Sequence, residues 1–368
     1  MRRFSTVHRV VVKLGTNVLT GGGALDEVYI TDVARQVASL RAEGREVCLV
    51  SSGAIGLGAQ ELAISGRVQD VVLRQACAAV GQPLLMQVYR RAFAKRDVKI
   101  AQVLITREAL DDRHSYVRLR NAVERLLDLG ILPVFNENDS VATAEIGTAF
   151  GDNDQLSALV ASKVDAGLLV LLSDVDGYYD RDPRHHGDAR RLELVEHVEA
   201  GMIERAGKAG STVGTGGMAT KLKAVKIAAD GGCRVVLAHG REPDVLPRIL
   251  AGEPIGTVFA PRRTLKNRAR WLLHSAPKGT ITVDAGALEA IRRHNSLLPR
   301  GVVAVDGNFE AGEVVMVNGV AKLVSSFSSR ELSAVIGRHS SAVSEALGTT
   351  TERRVVARPE DMVFLEDD

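Results

Sequence analysis

Residues 131–161, ILPVFNENDSVATAEIGTAFGDNDQLSALVA, hold the densest set of groups that could do chemistry. A short apolar run breaks into Asn136, Glu137, Asn138 and Asp139. A second polar knot, Gly151, Asp152, Asn153 and Asp154, precedes apolar residues at helical spacing (Leu156, Leu159, Val160, Val164). Other polar groups fall where apolar runs end. Lys13 lies near the end of RVVVKL, just before Gly15, and Ser51, Ser52 and Gly53 open the small-residue loop SSGAIGLG. Ser173 and Asp174 follow the apolar run 167–172, and GTGGMATK (214–221) sets glycines ahead of Lys221. Small residues let backbone amides approach an anion, and a lysine beside them adds a mobile cation, which suits polyphosphate. No candidate His or Cys nucleophile falls in these loops; His185 and His186 lie in a polar Arg/Asp loop, and the nine histidines show no metal-ligand spacing. Two lysines with glycine-rich loops fit phosphoryl transfer, which asks for positioning and charge neutralisation more than covalent chemistry.

Each residue also has a purely structural reading. Asp152 or Asp154 could cap the following helix, and Asn138 with Asp139 could form an Asx turn. Lys13 could snorkel to the surface; buried, it would need a carboxylate or a ligand anion. The glycines could serve tight turns and close helix packing. Gly53, Gly56 and Gly58 do not follow the GxGxxG order, and residues 214–221 do not spell GxxxxGK[ST], so neither a dinucleotide fingerprint nor a Walker A loop is present. Two acid-and-amide clusters at one strand end nevertheless argue for a site.

The elements that must carry these groups alternate. Strands are expected at 9–14, 46–50, 99–106, 131–135, 167–172 and 234–238. Helices are expected at 28–43, at 73–93 with a possible kink at Pro83, at 121–129, from 155 onward, at 192–209 and over 222–229. This is an α/β pattern, an open and mostly parallel sheet sandwiched by helices, and ligand crevices in such sheets lie beyond the strand carboxyl ends. Near residue 260 the texture changes to a basic run, PRRTLKNRAR, then APKG, then short strands between glycine turns, which suggests a small β-rich domain. The expected division is a first domain over 1–260, a linker over 261–277 and a second domain over 278–368.

The 368 residues are 45% hydrophobic and 25% charged, ordinary for a soluble globular protein, and the net charge of +2 neither demands nor excludes a polyanionic partner. Cys48, Cys77 and Cys233 lie far apart in apolar segments, so buried reduced thiols are expected rather than a zinc site or disulfides. No signal-peptide run follows Met1-Arg2-Arg3 and no stretch approaches a membrane span, so a cytoplasmic protein without a membrane partner is expected.

The segments VVKLGTNVLTGG, SSGAIGLG, ILPVFNENDSVATAEIGTAFGDNDQLSALVA, LLSDVDGYYDRDPR and GTGGMATKLKA closely resemble the glutamate 5-kinase branch of the amino-acid kinase family. The tail from near Lys278 resembles the PUA domain that many bacterial members carry. The resemblance covers nearly the whole chain, and NENDSVATAEI with GDND and GTGGMATK are its most specific parts. It implies the amino-acid kinase fold and an ATP-dependent phosphorylation of L-glutamate to γ-glutamyl phosphate, the first step of proline biosynthesis. It also implies Mg²⁺, proline as a feedback inhibitor and a homo-oligomer, dimer or tetramer. Carried over by position, Lys13 and Lys221 neutralise the transferring phosphoryl group and Asp154 orients both lysines. Ser52, Gly53, Asp139 and Asn153 bind glutamate. Lys13, Ser173, Asp174, Thr215, Gly216, Gly217, Met218, Ala219, Thr220 and Lys221 line the ATP site. No metal ligand is assigned. The family often has threonine where this chain has Ser51 and Ser173, and both keep the hydroxyl.

The chemistry of the residues agrees with these roles. A carboxylate acceptor, with a pKa of about 4.3, is already ionised at neutral pH and needs no general base. The difficulty is one anion attacking another, and fixed cations at the developing charge are the remedy. The substrate's ammonium needs an anion such as Asp139, and its α-carboxylate wants the amide donors that the Ser52-Gly53 loop could supply. A rival enzyme would be a family member acting on acetylglutamate, aspartate or a nucleotide. A rival of another class would bind RNA through the tail. Residues 278–368 carry ten Lys/Arg against thirteen Asp/Glu, a net of −3, while residues 1–277 carry +5. A nucleic-acid footprint should be basic, which argues against that partner.

Overall fold

The computed structural model of the chain describes residues 4–66, 68–141, 153–208, 217–262, 267–339, 342–348 and 355–365. They form two compact units, Met1–Leu110 with His114–Thr264 and Asp111–Arg113 with Leu265–Asp368.

The first unit runs β1 (Arg9–Leu14), α1 (Thr16–Thr20), α2 (Glu27–Ala42), β2 (Glu46–Val50), α3 (Ala54–Glu61), α4 (Val71–Ala94), β3 (Ile100–Ile105), α5 (Arg107–Asp111), α6 (Arg113–Asp128) and β4 (Leu132–Glu137). It continues with α7 (Asn153–Lys163), β5 (Leu168–Ser173), β6 (Leu194–Val195), α8 (Ala200–Lys208), α9 (Met218–Asp230), β7 (Arg234–His239), α10 (Val245–Ala251) and β8 (Thr257–Phe259). Its eight strands order as β3-β4-β2-β1-β5-β7-β8-β6, parallel throughout except where β7 meets β8. Because β1, β2, β4 and β5 are buried on both faces, they read as continuous apolar runs. Alternation along β1 sorts the layers. Val10, Val12 and Leu14 face a core built with α2, α4 and α10. Val11 faces the opposite core, where Leu156 and Leu159 of α7 meet Leu222 and Val225 of α9. Lys13 shares the parity of Val11, so its stem enters the layer of α7 and α9.

Several elements depart from the expected pattern. The helix expected over 192–209 is confined to α8. Leu194 and Val195 instead pair with Val258 and Phe259 at the sheet edge, and the Thr257 hydroxyl donates to the Leu192 carbonyl at 2.6 Å. α6 starts eight residues before the expected 121, with Tyr116 and Val123 on one buried stripe. Pro83 lies inside α4 without ending it. Cys48, Cys77 and Cys233 are free and buried.

The second unit holds α11 (Asn267–His274), β9 (Gly279–Val283), α12 (Ala285–Arg292), β10 (Val302–Gly307), β11 (Val314–Val317), β12 (Ala321–Val324), α13 (Ser329–Val335), α14 (Val343–Leu347) and β13 (Met362–Phe364). Its five-stranded sheet orders as β10-β9-β11-β12-β13 around Ile281, Val315, Val317, Leu323 and Phe327. α11 falls in the stretch read as a linker; Trp271 and Leu272 are buried, and the Lys322 ammonium donates to the Leu273 and Ser275 carbonyls at its C-terminal end. A cation is favourable where helix carbonyls point outward. Among the described residues no helix is long and apolar enough to cross a membrane.

Candidate active site

Three charged side chains meet beyond the carboxyl ends of the central strands. Lys13, one residue from the end of β1, places its Nζ 2.6 Å from Asp154 Oδ1, and Lys221 Nζ donates to Asp154 Oδ2 at 3.2 Å. Asp154 is the second residue of α7 and Lys221 the fourth of α9, the two helices that cover this face of β1. All three are buried, at 4%, 1% and 6% exposure for Lys13, Asp154 and Lys221. Burial pushes the Asp154 carboxyl up, but the two ammonium groups outweigh it and hold the carboxyl down to about 2. Two buried ammonium groups meet at one carboxylate here, and fixed cations beyond the strand ends suit an incoming anionic group.

Local backbone makes room for this cluster. The Gly15 amide donates to the Leu172 carbonyl at 3.1 Å, which carries the tie between β1 and β5 one residue past the end of β1. A side chain at Gly15 would put its Cβ 3.2 Å from that carbonyl oxygen and 3.7 Å from Lys13 Nζ. At the neighbouring strand end, Gly53 turns the chain into α3 at φ 94°, a left-handed conformation that only glycine adopts without penalty.

The second polar cluster joins the first through Asn153, the first residue of α7. Its Nδ2 donates to the Ser51 carbonyl at 2.6 Å and to Asn136 Oδ1 at 2.8 Å, and the Ser52 hydroxyl lies 3.3 Å from it. The Ser51 hydroxyl is bonded to the Tyr89 hydroxyl at 2.8 Å. Asp139 lies two residues past β4; burial pushes its carboxyl up to about 6 against the pull of Arg74. It makes no bond to either lysine among the described residues.

Ser173 and Asp174 close β5. Ser173 Oγ donates to Asp174 Oδ1 at 2.9 Å and Asn17 Nδ2 donates to Asp174 Oδ2 at 2.7 Å. Burial pushes the Asp174 carboxyl up, but these two bonds and the charge of Lys221 outweigh it and hold it below its ordinary range. Gly217 caps α9 without a side-chain bond, and Met218, Ala219 and Thr220 form its first turn, where backbone amides suit an anion. Thr215 and Gly216 lie outside the described residues, as do Gly151, Asp152 and residues 142–150 of the central stretch.

Lys13, Asp154, Lys221, Asn153, Ser52, Gly53, Ser173 and Asp174 thus occupy adjoining ends of β1, β2 and β5 and the starts of α7 and α9. Sequence reasoning missed Asn17 and named Asn136 only as part of a polar run. The signal for Asn136 was its place at the end of an apolar strand, where a buried amide must find partners.

Residues 8–239 match the amino acid kinase family, and residues 279–347 match the PUA domain. The chain is 44% identical to the glutamate 5-kinase of Methanosarcina barkeri, over 96% of this chain and 95% of that one. It is 44% identical to the glutamate 5-kinase of Thermus thermophilus, over 97% and 98%, and 43% identical to that of Geobacter sulfurreducens, over 94% and 94%.

Proposed function

The chain belongs to the glutamate 5-kinase branch of the amino acid kinase family, and from that premise we propose that it transfers the γ-phosphoryl group of ATP to the side-chain carboxylate of L-glutamate. The product, γ-glutamyl phosphate, opens proline biosynthesis. The observation that carries the reading is the buried Lys13–Asp154–Lys221 cluster, which brings two ammonium groups together at the strand ends.

In this mechanism the nucleophile arrives ionised, so no side chain removes a proton. Lys13 and Lys221 neutralise charge on the transferring group, a contribution of about 3–4 kcal/mol for each well-placed donor. Asp154 holds both ammonium groups in place. Ser52, Gly53, Asp139 and Asn153 hold glutamate, with the Asp139 carboxylate opposite the α-ammonium. Ser173, Asp174 and residues 215–221 hold ATP, and Mg²⁺ bound with the nucleotide would supply further neutralisation of its charge. Magnesium fits that role because it keeps several waters and uses few protein ligands beside substrate phosphates. Among the described residues no group of three or more His, Cys, Asp or Glu is arranged to hold a metal by itself. Proline acts as a feedback inhibitor of a cytoplasmic homo-oligomer, dimer or tetramer.

ADP release measured with L-glutamate, N-acetylglutamate, aspartate and UMP, each with and without proline, tests the reading. Glutamate is expected to be the preferred acceptor and proline to slow its use. Preference for any of the other three would overturn it.

A further inference from the structure

Gln82 is a polar residue on the buried stripe of α4 formed by Cys77, Ala78, Gly81 and Leu85. Two glycines let α3 and α4 meet backbone to backbone beneath the Ser51–Gly53 loop. A Cβ at Gly81 would lie 1.9 Å from the Ala54 carbonyl oxygen, and one at Gly58 would lie 1.8 Å from that of Cys77. With the helices this close, Gln82 reaches the end of β4, where Asn136 Nδ2 donates to its Oε1 at 2.7 Å. Asn136 Oδ1 accepts in turn from the Glu137 backbone N–H at 3.0 Å and from Asn153 Nδ2 at 2.8 Å.

Two backbone groups fix the sense of this relay. A backbone N–H only donates and a carbonyl only accepts. The Glu137 N–H therefore holds Asn136 with its oxygen toward Asn153, and the Ser51 carbonyl holds Asn153 with its nitrogen inward. Neither amide can turn over without setting donor against donor or acceptor against acceptor. Asn136 Nδ2 is left facing Gln82, which must supply an acceptor. The two hydrogens on Asn153 Nδ2 are taken by Ser51 and Asn136, so Asn153 has only Oδ1 to offer a ligand.

We propose that Gln82 is a positioning residue for the acceptor substrate: acting through Asn136, it holds Asn153 so that this side chain presents only its carbonyl oxygen to the bound amino acid. Asn153 then reads a hydrogen-bond donor on the α-carbon, an ammonium, and disfavours an acceptor in the same place. The inference rests on the site reading given above and adds to it a residue, Gln82, that touches no substrate.

The test compares L-glutamate, 2-hydroxyglutarate and 2-oxoglutarate as acceptors for the parent protein, Gln82→Met and Gln82→Glu. A hydroxyl can donate to Asn153 Oδ1 and a keto oxygen cannot. In the parent, kcat/KM for the hydroxy acid should exceed that for the keto acid by about tenfold, the scale of one unmatched buried acceptor. Gln82→Met removes the acceptor for Asn136, so KM for glutamate should rise by about tenfold, KM for ATP should stay, and the hydroxy-over-keto preference should close. Gln82→Glu keeps an oxygen facing Asn136 and should retain that preference. Should Gln82→Met fail to fold, the parent's order and the behaviour of Gln82→Glu decide. Equal use of the hydroxy and keto acids by a parent that phosphorylates glutamate would overturn the relay. So would a Gln82→Met protein with parental KM and selectivity, or a Gln82→Glu protein that loses the preference. Failure of the parent to phosphorylate glutamate would instead remove the reading of the reaction itself.

Discussion

Replacing Asp154 by asparagine removes the carboxylate that both buried ammonium groups bond. At separations of 2.6 and 3.2 Å and an effective dielectric of about 20, each ion pair is worth roughly 5–6 kcal/mol of attraction, before the cost of desolvating three charges. That cost absorbs much of the gain, so breaking a buried pair by deleting one partner typically costs about 3–5 kcal/mol. Asp154→Asn is expected in that range, because the amide can accept from only one lysine and turns its NH₂ toward the other. Activity should fall with it, since the released lysine no longer aims at the transferring group, and a loss of about 10²–10³ in kcat is expected. Urea unfolding and ADP release with glutamate measure the two effects. The Lys13→Met/Asp154→Asn double variant separates charge from packing: it should be more stable than Asp154→Asn alone, because it removes one of the two ammonium groups that lose the Asp154 charge. Asp154→Asn within about 1 kcal/mol of the parent, with kcat reduced less than about tenfold, would refute the reasoning, since a buried pair would then count no more than an exposed one.

Two further outcomes follow from single features. Asp139, raised to about 6 by burial, must be ionised to hold an ammonium, so affinity for glutamate should fall about tenfold per pH unit below 6. The substrate's own carboxylate stays ionised down to about pH 4.3, which leaves that window clear; a KM for glutamate that is flat between pH 8 and 5 would sink the assignment. Gly81→Ala should lower stability by about 2 kcal/mol or more despite alanine's better helix propensity, because the new methyl meets backbone rather than a flexible side chain. A thermal midpoint at or above the parent's would contradict the close approach of α3 and α4.

The central strands and their order of alternation with helices were legible because β1, β2, β4 and β5 are buried on both faces and so carry almost nothing but apolar residues. Edge elements were not. Leu194 and Val195 sit among apolar residues at spacings a helix would also produce, and only pairing with Val258 and Phe259 makes them a strand. Trp271 and Leu272 were masked by surrounding arginines that read as a solvated connection. At the site, the lysine near the end of β1 and the paired acid–amide clusters were visible as residue types, while the roles of Lys13, Asp154 and Lys221 came from resemblance. The amide relay was not visible, because Gln82 and Asn153 lie 71 positions apart in the sequence and are linked only through Asn136. The bond from Asn17 to Asp174 escaped for the same reason. Long-range polar pairing carries no periodicity, so pattern reading finds the groups and not their partners.

The most direct measurement is single-turnover formation of γ-glutamyl phosphate, trapped as the hydroxamate, by Lys13→Met and Lys221→Met beside the parent. Each variant should lose about 10²–10³ in rate while keeping a cooperative thermal transition. A folded variant of either lysine that turns over within about threefold of the parent would contradict the claim that the buried cations stabilise the transfer.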